Sequence, residues 1–285
     1  MNYIDITQAK NLLPKNSIYQ HKGDCGRVMI CGGSIGMTGA VCMAASAALR
    51  TGSGLVTVAV PKSLNSIYEI KLTEVMSLPI DDSDGQFVPS SFVKALEFSE
   101  SCDAVAIGPG GGKNFRYVTE SFIHGCGKPM VIDADGLNSI SCNTDILLNK
   151  KADIILTPHV GEMSRLTGKS TEYINHNRVS VAEEFAEKYS VTVVLKGHET
   201  VVTNGEATFI NTTGNDGMAT GGAGDVLCGM ILSFLGRQMT CFNSCLLGVY
   251  LHGLAGDIAR NKFNAYSLTA SDIISNIPEA INKLL

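Results

Sequence analysis

The chain has 285 residues, 45% of them hydrophobic and 17% charged, which excludes a disordered chain and predicts a sizeable buried core. A formal net charge of −5 offers no basic excess for a nucleic-acid surface, so no nucleic-acid partner is expected. Nine cysteines, at positions 25, 31, 42, 102, 126, 142, 228, 241 and 245, form no CxxC pair. Neither a zinc site nor a thioredoxin-like motif is therefore expected, and reduced, mostly buried thiols in a cytoplasmic protein are.

The opening MNYIDITQAKNLLPKN has no basic segment leading into an apolar core, so no signal peptide is expected there. GRVMICGG (26–33) reads as a strand running into glycines, residues 39–50 as an alanine-rich helix, and LVTVAV (55–60) as a β-branched strand stopped by Pro61. Ala40 to Leu49, the longest run of small and apolar residues, is too short to span a bilayer, and no membrane partner is expected. Further strands are predicted at 104–110, 129–138, 152–159, 191–197 and 200–204, with a helix at 179–189. Short continuous apolar runs bounded by Gly and Pro suit strands buried on both faces of a parallel sheet. From Asp225 onward the chain reads as mostly helical, and Thr269–Asp272 has the spacing of a capping box. With no linker and no repeat, the expectation is one doubly wound, mostly parallel α/β domain over residues 1–285. The polar strand ends GPGGGK, DADGLN, TPHVGE and LKGHET should converge on one edge of its sheet, where such folds bind ligands.

Two phosphate fingerprints fail. The turn after the first strand is GxxGxxG (Gly33 to Gly39), and no acid ends the next strand to hold a ribose, which argues against a dinucleotide Rossmann site. GPGGGK (108–113) is one residue short of a Walker A loop and is followed by Asn114. Gly221-Gly222-Ala223-Gly224-Asp225, directly before the apolar Val226-Leu227-Cys228, fits another device. Small residues let an anion approach backbone N–H groups at a helix N-terminus. An acid at that spot would repel phosphate unless it has its own task, and the natural task is to take a proton from an attacking hydroxyl. The plain alternative is that Asp225 caps the helix.

The segment NTTGNDGMATGGAGDVLCGM (211–230) resembles the GxGD signature of the ribokinase-like superfamily and, at full length, that of the NAD(P)H-hydrate dehydratases. HKGDCGRVMICGGSIGMTGA, GPGGGK, VIDADGLN, LTPHVGEMSRL and LKGHETVV resemble the family's other blocks, in order, over nearly the whole chain. Ala223 stands where Thr is common, and Gly111 where Leu is frequent; both are small changes in backbone-lined loops. The resemblance implies ADP-dependent or ATP-dependent dehydration of hydrated NADH or NADPH, through phosphorylation of the ring hydroxyl and loss of phosphate. It implies Asp225 as base, with Gly222, Ala223 and Gly224 as the anion hole. It implies Ala40, Gly110 and His159 against the hydrated dinucleotide, and Lys196, Gly197, His198, Glu199, Thr200 and Gly224 along the adenine nucleotide. Glu162 would position Mg²⁺ through water. A homo-oligomer such as a tetramer is implied as well. The epimerase often fused to this family is not expected in a chain of this length. Rival readings are a small-alcohol kinase of the same superfamily, a nucleotide-binding regulator without turnover and an NAD-dependent dehydrogenase. Asp133 and Asp135 read as loop-shaping, or at most as supports behind the site.

Overall fold

The structure is a computed structural model and describes residues 2–285. Its strands are β1 (Asn2–Ile4), β2 (Arg27–Cys31), β3 (Leu55–Pro61), β4 (Met76–Ile80), β5 (Asp82–Ser83), β6 (Gln86–Phe87), β7 (Ala104–Ile107), β8 (Met130–Ile132), β9 (Ile154–Leu156), β10 (Thr192–Leu195), β11 (Val201–Thr203) and β12 (Thr208–Asn211). The helices are α1 (Ile6–Leu12), α2 (Thr38–Thr51), α3 (Asn65–Lys71), α4 (Ser91–Ser99), α5 (Arg116–Gly125), α6 (Asp135–Ile140), α7 (Val160–Thr167), α8 (Thr171–His176), α9 (Arg178–Tyr189), α10 (Ala223–Gly236), α11 (Cys241–Lys262) and α12 (Ala270–Asn282).

Ten strands form one sheet in the order β1-β12-β11-β10-β9-β8-β7-β2-β3-β4. From β4 through β10 every pairing is parallel; β11 turns antiparallel to β10 and to β12. β5 and β6 make a separate two-stranded ribbon. The doubly wound α/β reading of the sequence thus holds. Strand composition explains why. In β2, Val28 and Ile30 join the core under α2, α10, α11 and α12, while Met29 and Cys31 join the core on the opposite face. β7 repeats the pattern, with Ala104 and Ala106 on one side and Val105 and Ile107 on the other. A strand buried on both faces needs apolar residues at every position.

Several expected strands are too long at their carboxyl ends. β2 stops at Cys31 and β7 at Ile107, because Gly33 (φ 78°) and Gly108 (φ 114°) leave the extended region. β9 stops at Leu156, short of the predicted 159. The stretch 129–138 is strand only over Met130–Ile132; Ala134, at φ 49°, breaks it and α6 begins at Asp135. The short or edge strands β1, β4 and β12 escape the sequence reading altogether.

The chain reverses its direction of winding between β2 and β7. After β2 it lays β3 and β4 to one side, then returns to place β7 on the other. Such a switch point opens a crevice at the carboxyl ends of the two strands. α10 and α2 pack side by side on one face of the sheet. Gly229 of α10 lies so close to α2 that a Cβ there would come within 2.0 Å of the Ala44 carbonyl oxygen. That approach brings the N-terminus of α10 to the edge where the strand ends collect. Among the described residues no helix is long and apolar enough to cross a membrane.

Candidate active site

The loops after β2 and β7 are hydrogen-bonded across the crevice. Gly33 N–H donates to Pro109 O (2.9 Å) and Ser34 N–H to Gly110 O (2.6 Å). Gly110 is buried, and a Cβ on it would lie 3.2 Å from Ala40 Cβ and 2.6 Å from Met37 O. Ala40 and Gly110 are therefore neighbours. The part of this loop that faces open space is Gly112 to Asn114. Gly112 N–H donates to Asp135 Oδ2 (2.8 Å), tying the loop to the start of α6. Asp135 does shape this loop, and it also lines a cavity of about 640 Å³ with Met37, Gln86, Lys113, Asn138 and Ser139.

Asp133, at the end of β8, takes the second of the two places read for it, behind the site rather than in the loop. Its carboxylate is buried and accepts from Lys196 Nζ at 2.7 Å. Lys196 follows β10, where its N–H donates to Pro158 O. Its ammonium also lies 3.8 Å from Glu162 Oε2. A Cβ on Gly224 would sit 3.4 Å from that same Nζ, so the lysine bridges from the sheet edge to the first turn of α10. Burial works against the Lys196 charge, but Asp133 and Glu162 outweigh it and raise its pKa.

His159 and Glu162 open α7 together. His159 is the N-cap; its Nδ1 accepts from the N–H groups of Gly161 (2.9 Å) and Glu162 (3.3 Å). Glu162 Oε2 accepts in return from His159 N–H (2.8 Å), completing a capping box. This network leaves the proton on Nε2, which lies 3.5 Å from Glu162 Oε1. Burial, with help from Lys196 and Arg165, lowers the His159 pKa, so the ring is neutral. Its side chain is still 54% exposed and open to a ligand. Glu162 is buried, and that burial pushes its carboxyl to about 7 against the pull of Lys196.

α10 begins after Gly222, whose φ of 93° is the left-handed conformation that favours glycine. The helix takes no side-chain cap, which disfavours the reading of Asp225 as a capping residue. Asp225 lies in the first turn with its carboxyl partly exposed. Burial raises its pKa to about 7, and Asp133 pushes the same way while Lys196 opposes. A carboxyl poised near neutrality beside helix N–H groups suits a general base next to an anion site. Behind it, His252 on α11 is held at about 4 by burial, hence neutral, and its Nε2 has no hydrogen-bond partner among the described residues.

The loop after β10 is shaped from within. Gly197 (φ 145°) and Glu199 (φ 55°) have positive φ, and Thr200 Oγ1 donates to Gly197 O at 2.9 Å. His198 and Glu199 are exposed. The structure thus gathers Asp225, Gly224, Lys196, Glu162 and His159 at one edge, with Ala40 and Gly110 in the adjoining crevice. Lys113 and Asn138, which line the cavity beside Asp135, escape the sequence reading as site residues, and only the GPGGGK and DADGLN blocks point toward them. A second cavity, of about 510 Å³, opens among Asp153, Glu187, Glu206 and Cys241 at the opposite, amino ends of β9 and β10. No glycine-rich anion turn or helix N-terminus of the candidate site faces it.

Residues 28–279 match the family model described as NAD(P)H-hydrate dehydratase. Over 281 residues the chain is 37% identical to the bifunctional NAD(P)H-hydrate repair enzyme of Moorella thermoacetica, covering 97% of this chain and 53% of that protein. The chain thus spans about half the length of this curated relative. It superposes on the ADP/ATP-dependent NAD(P)H-hydrate dehydratase of Bacillus subtilis, co-crystallized with ATP/Mg²⁺, with a TM-score of 0.84 at 26% identity, over 100% of this chain and 99% of that one. A ribokinase-like superfamily protein of Enterococcus faecalis gives 0.85 at 25% identity, over 99% and 96%.

Proposed function

The chain belongs to the NAD(P)H-hydrate dehydratase family, and we propose that it repairs hydrated NADH or NADPH with ADP as phosphoryl donor, giving NAD(P)H, AMP and phosphate. The observation that carries this reading is Asp225, a carboxyl raised to about 7 in the first turn of a helix whose N-terminal residues are Gly222, Ala223 and Gly224. The Asp225 carboxylate takes the proton of the ring hydroxyl. The freed oxygen bonds to the terminal phosphorus of ADP, and the bond from that phosphorus to the bridging oxygen breaks, releasing AMP. Backbone N–H groups at the start of α10 stabilise the charge on the transferring phosphoryl. The phosphate ester is a far better leaving group than hydroxide. Phosphate leaves with the carbon–oxygen bonding pair, a proton leaves the adjacent ring carbon, and the ring double bond returns.

Lys196, fixed between Asp133 and Glu162, offers its remaining N–H toward the phosphates beside Gly224. Gly197, His198, Glu199 and Thr200 line the nucleotide, and Ala40 and His159 line the hydrate, with Gly110 packed behind Ala40. For Mg²⁺, the described residues hold no preassembled group of three or more ligands. Glu162 and Asp133 supply buried carboxylates at the strand ends, which fits an ion held mainly by phosphates and waters. Such an ion would neutralise phosphate charge. One continuous sheet supports treating residues 1–285 as a single domain. We further infer a homo-oligomer, such as a tetramer, in the cytoplasm; nine free cysteines suit a reducing compartment.

The deciding experiment mixes the protein with hydrated NADH, Mg²⁺ and ADP or ATP, and follows the return of reduced-nicotinamide absorbance. Recovery with ADP supports the reading and a preference for ATP changes the donor. No recovery from folded protein would leave the small-alcohol kinase, to be sought by phosphate transfer to a panel of alcohols.

A further inference from the structure

Arg178 is the first residue of α9 and lies outside every block that the sequence singles out. Its guanidinium reaches under the exit of β10. Nη2 donates to Leu195 O at 2.8 Å and to Lys196 O at 3.3 Å. The Lys196 carbonyl lies just past the end of β10, where Lys196 keeps only an isolated parallel bridge to His159. Gly197 packs directly on the same group: a Cβ there would lie 3.0 Å from Nη1 and 3.1 Å from Nη2. The Arg178 Nε is buried and unpartnered among the described residues. Burial lowers the guanidinium pKa, and Glu199 on the loop above opposes that. Arg178 is half-buried, and the two backbone carbonyls offset part of what desolvating its charge costs.

We propose that Arg178 is a positioning residue for the nucleotide: it sets the direction in which the 196–200 loop leaves β10, and with it the place of Lys196 and of the N–H groups of Gly197 to Thr200. This rests on the reading that the loop lines the adenine nucleotide. The loop needs such a brace because it carries two positive-φ residues, Gly197 and Glu199, and its internal tie is the Thr200 hydroxyl on Gly197 O. Both bonds leave one nitrogen, Nη2, whose N–H directions are fixed in the guanidinium plane, whereas a lysine ammonium rotates freely on a shorter reach and fixes neither direction. Fixing a loop before the ligand arrives lowers the ordering cost of binding.

The test compares Arg178→Gln, Arg178→Lys, Arg178→Ala and, within the loop, Thr200→Ala, each as the full chain with Mg²⁺. Calorimetry reads ADP binding, and kinetics read KM for ADP and for hydrated NADH. The expected result is ADP binding weakened roughly tenfold or more in Arg178→Gln, the loss of charge-assisted hydrogen bonds. The KM for the hydrate should stay within about twofold, since only one of the two ligands uses this loop. Arg178→Lys should recover only part of the loss, and guanidinium ion added to Arg178→Ala should restore ADP binding where sodium at equal ionic strength does not. If Arg178→Gln fails to fold, the lysine variant carries the same comparison. ADP binding lost in Thr200→Ala but intact in the Arg178 variants overturns the positioning role and leaves the loop reading standing. ADP binding intact in all of them overturns both. Equal weakening of ADP and hydrate shows a general structural role and overturns the proposal.

Discussion

Lys196 Nζ lies 2.7 Å from Asp133 Oδ1, joining the ends of β10 and β8 across the intervening end of β9 in one buried ion pair. The Asp133 side chain is 2% exposed and that of Lys196 18%, so water screens the pair weakly. Removing Lys196 strands the buried Asp133 carboxylate, and removing Asp133 leaves Lys196 only the more distant Glu162. Asp133→Asn or Lys196→Met should each cost about 3 kcal/mol, whereas the double variant should cost less than the sum of the two. Urea unfolding of the four proteins measures this coupling, and strictly additive losses would show that the pair contributes nothing as a pair.

The pH dependence of stability follows from Asp225. Its carboxyl rises from 3.8 to about 7 on folding, chiefly through burial. A carboxyl raised in the folded chain binds its proton more tightly there than in the unfolded chain. The ionised form therefore weakens the fold increasingly from 3.8 to about 7, and fully above that. Asp225→Asn should match wild type in thermal melts at the acid end of this range and exceed it above the upper end. The same variant should keep ADP binding and lose turnover by roughly 10²–10⁴-fold. In wild type the rate should climb with pH through about 7 as the base ionises. Glu162 is pushed to a similar value and shares the cluster, so the limb reports the coupled carboxyls. Undiminished turnover by Asp225→Asn would remove the role given to this residue.

The glycine-rich turn separates backbone need from ligand need. Gly222 has φ 93°, and a Cβ there would come 2.3 Å from Met43 Sδ. Gly222→Ala should lose about 1–2 kcal/mol to the left-handed backbone alone, before Met43 shifts. Gly221 has open space around its would-be Cβ and no positive φ, so Gly221→Ala should melt close to wild type. Equal melting temperatures for the two variants would mean that the turn rearranges freely, contrary to the geometry described.

Features that the sequence makes legible are those written locally. β2 and β7 each show their burial on both faces in four successive residues, and Gly221–Asp225 sets small residues and an acid within one turn at a helix start. β4 is different: its MSLPI contains a proline and is half-buried for most of its length, as suits the edge of a sheet. Asp133 is different again. Its partner is 63 positions away, and nothing in DADGLN alone says that the carboxylate turns toward β10. Arg178 sits in an ordinary amphipathic helix, and only the return of β10 beneath it reveals what it touches. Long-range pairs of this kind become visible once the strand order is known.

His159 caps α7, and the substrate role proposed for it can be separated from that cap by one pair of substitutions. As the N-cap of α7 it accepts from Gly161 and Glu162 N–H groups, and as a half-exposed neutral imidazole it is free to meet the hydrated dinucleotide. His159→Ala removes both, and the lost cap should cost about 1 kcal/mol. Asn is a good N-cap with a side-chain oxygen at a comparable reach, so His159→Asn should restore most of that stability. It cannot restore the imidazole Nε2–H. If His159 contacts the hydrate, both variants should show a raised KM for hydrated NADH with the KM for ADP little changed. If the residue serves the helix alone, His159→Asn should recover stability and hydrate KM together, and His159 would then leave the substrate site.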